Sequence, residues 1–216
     1  RPSGQECKGE EVMSAEQQRE QTIRRIDTAL AAWRQGDCVL AESWFAYRFE
    51  QTAPLTPEST QAAMSGDGDL AESQVLGFVV VTQTCDLVRS CRERPYIEVT
   101  PLVQIDAPGK LKEISLGRWP RYAFVPALED KGLVAHLDRV MTVEKAVIIS
   151  WKRIEGCRTD GEIRDFAQAL ARKRLRFAFP DDFTAVVEGL RARLTEKHGK
   201  ESEEGKALRR LREIRV

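Results

Sequence analysis

The chain contains 216 residues with a mass of 24.4 kDa, enough to bury a hydrophobic core as one domain with additions or as two small domains. Charged residues make up 31% and hydrophobic residues 42% of the chain, an ordinary composition for a soluble globular protein. The formal net charge of +0 excludes a strongly basic or acidic protein, so overall charge argues neither for nor against a nucleic-acid partner.

The sequence gives little support for a membrane protein, a disulfide-bonded protein or a protein built around a metal. No run approaches the roughly 18 to 20 apolar residues of a membrane span, and no secretory leader is recognised. The cysteines are odd in number and contain no CxxC pair, which is typical of free thiols in a reducing compartment. They are Cys7, Cys38, Cys85, Cys91 and Cys157. With two histidines, His136 and His198, we predict a cytoplasmic protein without a metal, a cofactor or a membrane partner.

The N-terminal part of the chain predicts one helix. Residues 1–12 show no periodicity and Met13 resembles a natural start, so we expect residues 1–12 to be an extension. Within residues 13–35, apolar side chains recur at spacings of three and four, which predicts an amphipathic helix that ends before Gly36. The apolar positions are Ile23, Ile26, Leu30 and Trp33.

Residues 36–155 are predicted to form a β-barrel domain. Short apolar segments follow one another at close spacing, the pattern of a barrel or a sandwich. The predicted strands cover residues 36–41, 44–49, 78–81, 96–103, 111–116, 122–125, 133–137, 139–143 and 146–150. Residues 51–74 contain prolines and glycines among polar residues and are predicted as a long loop.

Residues 156–216 are predicted to form a helical region. From Asp160, the predicted N-cap of the first helix, the apolar period changes to that of a helix, and Pro180 breaks this helix. A second helix ends at Gly199, and residues 202–214 form a third amphipathic segment. The last residues carry no helix cap, so we expect the chain to be part of a longer protein.

The sequence is organised around residues 77–87, an apolar run that ends in a polar cluster. Four apolar residues from Phe78 to Val81 predict a strand buried on both faces, whose exit is held rigidly and suits functional groups. The cluster at this exit comprises Thr82, Gln83, Thr84, Cys85 and Asp86. The alternative is that Thr84 and Asp86 make turn hydrogen bonds and Cys85 is a small buried hydrophobe.

The order of segments resembles the MazF/PemK family, small SH3-like barrels that act as RNA-cleaving toxins. Residues 36–39, Gly-Asp-Cys-Val, resemble the opening strand of the family, and residues 78–82 resemble its second strand. Residues 98–103 are similar to the third strand, 113–116 to the fourth, and 132–145 to the segment with the family's DQVxxI pattern. The resemblance implies an α+β fold, with an SH3-like barrel, an N-terminal helix and two to three C-terminal helices.

The residues that carry RNA cleavage in that family are not matched. Leu76 and Gly77 stand where an arginine and a proline precede the second strand. Leu102 and Val103 stand near the position of the catalytic hydroxyl, unless Thr100 takes this role through a register shift. Without the arginine, most of the electrostatic stabilisation of a phosphorane is missing. The resemblance therefore implies a fold more than an endoribonuclease activity.

A different catalytic set is available in the sequence. A thiol, an imidazole and a carboxylate are the parts of nucleophilic catalysis, and Cys85, Asp86, His136 and Asp138 supply them, with His136 as the base. In the resembling barrel the two segments lie near one another. The alternative is that His136 and Asp138, which share a strand face at period two, form a polar pair at the barrel rim.

Two hypotheses from different classes follow. The first is a nucleic-acid-directed protein, either a divergent toxin or anti-phage defence component or a non-catalytic binder, with RNA favoured over DNA. Its predicted contacts are Thr82, Gln83, Thr84, Arg89, Arg92, Arg94 and Arg139. The second is a non-catalytic interaction subunit of a toxin–antitoxin or defence system, whose C-terminal helices dock on a partner protein. A homo-oligomer fits both, and the arginine-rich turn beside Cys85 favours the first.

Overall fold

The computed structural model describes residues 14–66, 68–175, 181–199 and 201–206, and they form a mixed α+β fold. The helices are α1 (Ala15–Leu30), α2 (Pro57–Ser65), α3 (Thr84–Leu87), α4 (Pro108–Ser115), α5 (Lys145–Ile148), α6 (Asp160–Arg174) and α7 (Asp181–His198). The strands are β1 (Cys38–Val39), β2 (Trp44–Arg48), β3 (Leu70–Gln74), β4 (Phe78–Val80), β5 (Tyr96–Gln104), β6 (Tyr122–Phe124), β7 (Leu133–His136) and β8 (Met141–Glu144). A 3-10 helix covers Pro126–Lys131.

The main sheet is antiparallel and centres on β5. Its strand order is β1-β4-β5-β7-β6, and β8 also pairs with β5. Strands β2 and β3 pair only with each other, as a separate two-stranded sheet. Strands β7 and β8 both pair with the same edge of β5. The described strands therefore form an open sheet, with β1 and β6 at its two ends. The predicted closed barrel is therefore wrong, while the predicted α+β class is confirmed.

The strand that pairs with this edge of β5 is interrupted. Residues 133–135 pair with residues 102–104 of β5, and residues 141–144 pair with residues 96–99. The segment 137–140 between them does not pair with β5. At this gap the hydroxyl of Thr100 donates a hydrogen bond to the carbonyl oxygen of His136 at 2.6 Å. A side chain thus replaces a ladder bond at the point where the strand is broken.

The main sheet is covered on both faces. Phe78 and Val80 of β4 point into one hydrophobic cluster, which includes Leu30 of α1. Val79 and Val81 point into a second cluster, which includes Leu170 of α6. Residues 78–81 are all 3% exposed or less, so the prediction of a strand buried on both faces is confirmed. The exit of β4 therefore has a rigid support.

Two predicted strands are helices in the structure. Residues 111–116 fall largely within α4, where Pro108 lies in the first turn and Ile114 is buried. Leu111 and Ile114 are three residues apart, so one helical face carries both apolar side chains. Residues 146–150 fall largely within α5, whose residues Lys145 and Ile148 are buried at the same spacing. A short apolar run fits the period of a strand as well as that of a helix, and tertiary packing determines which of the two forms.

The predicted loop at residues 51–74 contains regular structure. The side chain of Thr56 accepts from the backbone N–H of Ser59, the Ser59 side chain accepts in return, and Pro57 occupies the first turn of α2. This capping box starts a helix that ends at Gly66 in the left-handed conformation. Strand β3 then returns along β2. The prediction of an unstructured loop is wrong.

The terminal helices follow the predictions more closely. Helix α1 starts with a capping box between Ser14 and Gln17, and α6 starts with one between Thr159 and Glu162, so Thr159 rather than Asp160 is the N-cap. Pro180 and most of the third predicted segment lie outside the described residues. Within the described part of the chain, no helix has the length and apolar character to cross a membrane.

Candidate functional site

The polar cluster after β4 is fixed to the neighbouring strand. The backbone N–H of Val81 donates to the carbonyl oxygen of Glu98 at 3.0 Å. The hydroxyl of Thr82 accepts a hydrogen bond from the N–H of Glu98 at 2.7 Å. Leu87, at the end of α3, is 0% exposed. The chain is thus held at both ends of the turn by contacts with the core and with β5.

A second set of bonds comes from the segment after α1. The backbone N–H of Gln35 donates to the hydroxyl of Thr84 at 3.1 Å, and its side-chain amide donates to the carbonyl oxygen of Val81 at 2.8 Å. Gln35 is 7% exposed. The hydroxyls of Thr82 and Thr84, predicted to contact nucleic acid, therefore both accept hydrogen bonds from the protein itself.

A buried lysine lies beneath α3. Lys145 is 1% exposed, and its ammonium donates to the carbonyl oxygen of Asp86 at 3.2 Å and to that of Arg89 at 2.5 Å. These carbonyls lie at the C-terminal end of the short helix, where a cation is favourable. Burying an ammonium is costly unless its donors are paired. Lys145 therefore fixes the backbone of this segment in one conformation.

The segment that follows α3 is fixed by an acid on α1. One carboxylate oxygen of Asp27 accepts from the hydroxyl of Ser90 at 2.7 Å, and the other accepts from the N–H of Cys91 at 2.8 Å. Burial would raise the pKa of Asp27, but these hydrogen bonds and the charge of Lys145 hold it below its ordinary value. Burial lowers the pKa of Lys145, and the charge of Asp27 opposes this change.

The turn presents a small set of groups to solvent. Gln83 and Cys85 are exposed, and the thiol of Cys85 lies 3.7 Å from the side-chain oxygen of Gln83. A carboxylate oxygen of Asp86 lies 3.8 Å from Nε of Arg89, and both side chains are near half exposed. The alternative in which Cys85 is a buried hydrophobe is therefore wrong. The cysteines at 38, 85, 91 and 157 are all free thiols.

Three of the four predicted arginines lie on the segment that follows α3. Arg92 forms an ion pair with Glu20 of α1. Arg94 is exposed and makes no ion pair with the described residues. A groove of about 610 Å³ separates this segment from the start of α1, and Arg19 and Arg92 line it together with Glu16 and Glu20. Exposed guanidinium groups therefore lie along the surface between the α3 turn and α1.

Arg139, the fourth predicted arginine, has partners on the other sheet. Its guanidinium lies 4.7 Å from the centroid of the Phe45 ring and donates to the hydroxyl of Ser73 at 3.2 Å. Phe45 belongs to β2 and Ser73 to β3. Arg139 therefore ties the interrupted strand to the β2–β3 hairpin, and it shares no hydrogen bond or ion pair with the α3 turn.

His136 and Asp138 flank the break in the edge strand. The ring of His136 meets that of Tyr122 edge-on, with centroids 5.1 Å apart. Burial lowers the pKa of His136, and the buried Nδ1 of His136 has no hydrogen-bond partner among the residues that the structure describes. Burial opposes ionisation of Asp138, but its ion pair with Lys173 and the nearby charge of Arg121 hold its pKa below the ordinary value.

The four residues of the predicted catalytic set fall into two pairs. Cys85 and Asp86 contact side chains of the α3 turn, whereas His136 and Asp138 interact with β6, α6 and each other. Among the residues that the structure describes, no hydrogen bond or ion pair joins the two pairs. Arg174 at the end of α6 forms an ion pair with Glu98 of β5. In this arrangement His136 has no contact through which to accept the Cys85 proton.

Gly77 and Thr100 have defined structural roles. Gly77 has φ of +136°, and an added Cβ would lie 2.1 Å from the carbonyl oxygen of Val39. Proline requires φ near −65°, so a proline does not fit at this position. Thr100 is 0% exposed, and its hydroxyl donates to His136. It is therefore not available as an exposed catalytic hydroxyl.

Two residues that build the site, Asp27 and Lys145, were not predicted from the sequence. A signal was present in both cases, because each charged residue interrupts an apolar pattern. Asp27 follows Ile26 on the apolar side of α1, and Lys145 precedes the apolar run 146–149. A charged residue at such a position either marks the end of the apolar pattern or is buried with a polar partner. The sequence alone does not distinguish these cases.

The described residues contain no group of three or more histidine, cysteine, aspartate or glutamate side chains that would hold a metal ion. The exposed chemistry of the site is therefore that of a thiol, an amide, a carboxylate and several guanidinium groups. Guanidinium groups bind phosphates, and an anchored backbone fixes their direction. No family model, curated protein or solved structure matches this chain.

Proposed function

We propose that the protein binds nucleic acid, RNA in preference to DNA, through the α3 turn and the arginines that follow it. The observation that carries the proposal is the buried ammonium of Lys145, which donates to two backbone carbonyls of this segment. A lysine used in this way holds an exposed loop in place at a cost in desolvation. A fixed backbone at the surface is what a recognition surface requires.

The charge along this segment supports a polyanionic ligand. Arg89, Arg92 and Arg94 are all exposed, and Arg94 has no acidic partner among the described residues. The acids that pair with the other two, Asp86 and Glu20, are themselves 43% and 40% exposed. Such surface ion pairs are weak, so a phosphate can compete with the carboxylate for either arginine.

The contacts favour binding over cleavage. Cys85 makes no hydrogen bond to an imidazole or a carboxylate of the described residues. Nucleophilic catalysis needs a base in contact with the nucleophile, and a ribonuclease needs groups that stabilise the phosphorane. The divergent-toxin hypothesis would need a second residue to reach Cys85 or Asp86 when RNA binds. We therefore propose binding, rather than catalysis, as the function of this turn.

The binding test compares two variants that each remove two positive charges. Arg89→Gln/Arg94→Gln changes the proposed surface, and Arg48→Gln/Arg158→Gln changes exposed arginines on β2 and before α6. Affinities for a single-stranded RNA, the same DNA sequence and a duplex are measured by fluorescence anisotropy at about 50 and about 200 mM salt. The wild-type affinity for RNA is expected to fall about tenfold or more at the higher salt.

The surface variant is expected to lower the slope of log affinity against log salt by about 1.4, since each phosphate contact to a single strand contributes about 0.7. The control variant is expected to change this slope by less than half as much. A wild-type affinity that does not respond to salt, or equal effects of the two variants, would overturn the proposal. Products from the same RNA that disappear with Cys85→Ala or Asp86→Ala would make the turn an active site.

We also infer that the main sheet is an open relative of the SH3-like barrel of the MazF/PemK family. In support, the segments that resemble the first three family strands become β1, β4 and β5, which lie side by side and antiparallel. The segment that resembles the fourth strand is helix α4 instead. An experimental structure in which β1, β4 and β5 cannot be superimposed on such barrels with the same connectivity would refute the inference.

A second function, as an interaction subunit, is favoured by exposed apolar side chains on α7. Leu190 and Leu194 lie one helical turn apart and are 54% and 41% exposed. Adjacent exposed leucines on one helix are typical of a docking surface. This function predicts a stable complex with a partner protein that survives Cys85→Ala and is lost with Leu190→Glu/Leu194→Glu. Purification of the full chain from its native cells without any partner would argue against it.

A further inference from the structure

A second surface combines aromatic rings with a cation, away from the contacts of the α3 turn. It is formed by Lys110 of α4, Trp119 in the loop before β6, Tyr122 of β6 and His136 of β7, and it is called the aromatic surface below. These four side chains come from separate elements that the sheet and α4 bring together. None of them belongs to the proposed arginine surface.

The rings are held by the cation and by each other. Nζ of Lys110 lies 4.9 Å from the centroid of the Trp119 ring and 5.5 Å from that of Tyr122. The ring of His136 lies edge-on to Tyr122, at an interplanar angle of 84°. Both are favourable geometries for aromatic groups. Trp119 nevertheless remains 40% exposed, so part of its ring faces solvent.

The charge of this surface is positive. Lys110 forms no ion pair with any described residue, and Arg121, next to Tyr122 in the chain, is 56% exposed. Asp138 is shared between Arg121, at 3.6 Å, and Lys173. One carboxylate thus faces two cations, and Lys110 adds a third positive charge. An exposed ring beside unneutralised cations suits a ligand that has both a planar group and negative charge.

His136 provides an independent sign that the surface is not optimised for stability alone. Its Nδ1 is buried and has no hydrogen-bond partner among the described residues. An unpaired buried nitrogen destabilises a fold, and an apolar residue would fill the position without this cost. We regard His136 as a positioning residue, which sets the orientation of the Tyr122 ring beneath the Lys110 ammonium.

We propose that a base of single-stranded nucleic acid stacks on Trp119, while Lys110 and Arg121 contact the flanking phosphates. This inference rests on the proposed function, because it assigns the class of nucleic acid as single-stranded. Bases in a duplex are already stacked, so an exposed indole selects unpaired bases. An acidic peptide would use the cations but would gain little from the exposed indole ring.

The test uses the full-length protein and measures binding to a labelled oligouridylate and to the same strand with abasic sites. Trp119→Leu is expected to weaken oligouridylate binding about 5- to 150-fold, the range for the loss of one base-stacking contact. Trp119→Phe is expected to retain most of the affinity. The abasic strand is expected to bind wild type and Trp119→Leu equally, since it offers no base to stack.

Trp44→Leu is the matched control, because Trp44 on β2 is 36% exposed but lies outside this surface. Equal losses in Trp44→Leu and Trp119→Leu would overturn the inference, as would equal binding of the two strands by wild type. If Trp119→Leu binds oligouridylate normally while the arginine variant does not, this inference fails and the proposed function stands. Tight binding of an oligoglutamate peptide, lost with Lys110→Gln and unaffected by Trp119→Leu, would assign the surface to a protein partner instead.

Discussion

Gly77 is a residue whose identity is dictated by the backbone. It precedes β4, has φ of +136°, and lies against the carbonyl oxygen of Val39 on the neighbouring strand. Residues other than glycine rarely adopt this conformation. Glycine leaves room for the approach of β1 to β4, because a Cβ at this position would meet that carbonyl oxygen.

Gly77→Ala is predicted to lower the free energy of unfolding by at least about 3 kcal/mol, because it adds a backbone clash to conformational strain. Gly66→Ala is the matched control, since Gly66 has φ of +73° and no atom within 4 Å of an added Cβ. It is predicted to cost about 1 kcal/mol. Urea denaturation of both variants measures the difference. Equal losses would mean that the contact with Val39 is relieved without cost.

The α3 turn is an element whose position depends on its neighbours rather than on its own sequence. Four helical residues do not form a stable helix in isolation. The turn is held by Leu87 in the core, by Lys145 beneath it and by the contact between Gln35 and Thr84. Its exposed groups are therefore only as well positioned as these contacts allow.

Lys145→Met is predicted to lower the free energy of unfolding by about 2–5 kcal/mol. The substitution keeps the apolar stem but removes the donor to the carbonyl oxygens of Asp86 and Arg89 and the cation near Asp27. Lys112→Met, at an exposed position on α4, is the control and is predicted to change stability by less than about 0.5 kcal/mol. Chemical denaturation followed by circular dichroism measures both. A loss in Lys145→Met no larger than in the control would show that the ammonium does not anchor the turn.

Elements with a strong local signal were predictable, and elements fixed by packing were not. The spacing of apolar residues in α1 and the continuous apolar run of β4 each have one structural interpretation, and both predictions are confirmed. The segments that became α4 and α5 have few apolar residues and fit either period. For the site, the sequence identified the exposed turn but not Asp27 or Lys145, which are distant along the chain.

At the scale of the whole molecule, the two sheets differ in how they are supported. Strand β5 pairs with β4 on one edge and with β7 and β8 on the other, and both of its faces are covered. The β2–β3 sheet pairs with no further strand in the described part of the chain, and it is linked to the main sheet by side chains such as Arg139. A two-stranded sheet is marginal without such packing.

Native-state hydrogen exchange is predicted to separate the two sheets. The amide of Leu102 donates to Gly77 at 2.8 Å in the main sheet, and the amide of Val75 donates to Ser43 at 2.9 Å beside the hairpin. Both residues are buried. The Leu102 amide is expected to exchange through global unfolding, and the Val75 amide at least about tenfold faster, through local opening. Equal exchange rates would show that both sheets open together.

The anchoring of the α3 turn also has a consequence for the order of events during synthesis. Lys145 lies 59 residues beyond Asp86, and Ser90 lies 63 residues beyond Asp27, so both contacts close long loops. Closing a long loop costs conformational entropy before the contact stabilises the fold. A contact of this kind therefore forms late in folding. Until Lys145 has been synthesised, the turn with its exposed thiol has already been made but lacks its buried cation. The α3 turn is therefore completed only after most of the sheet has been synthesised.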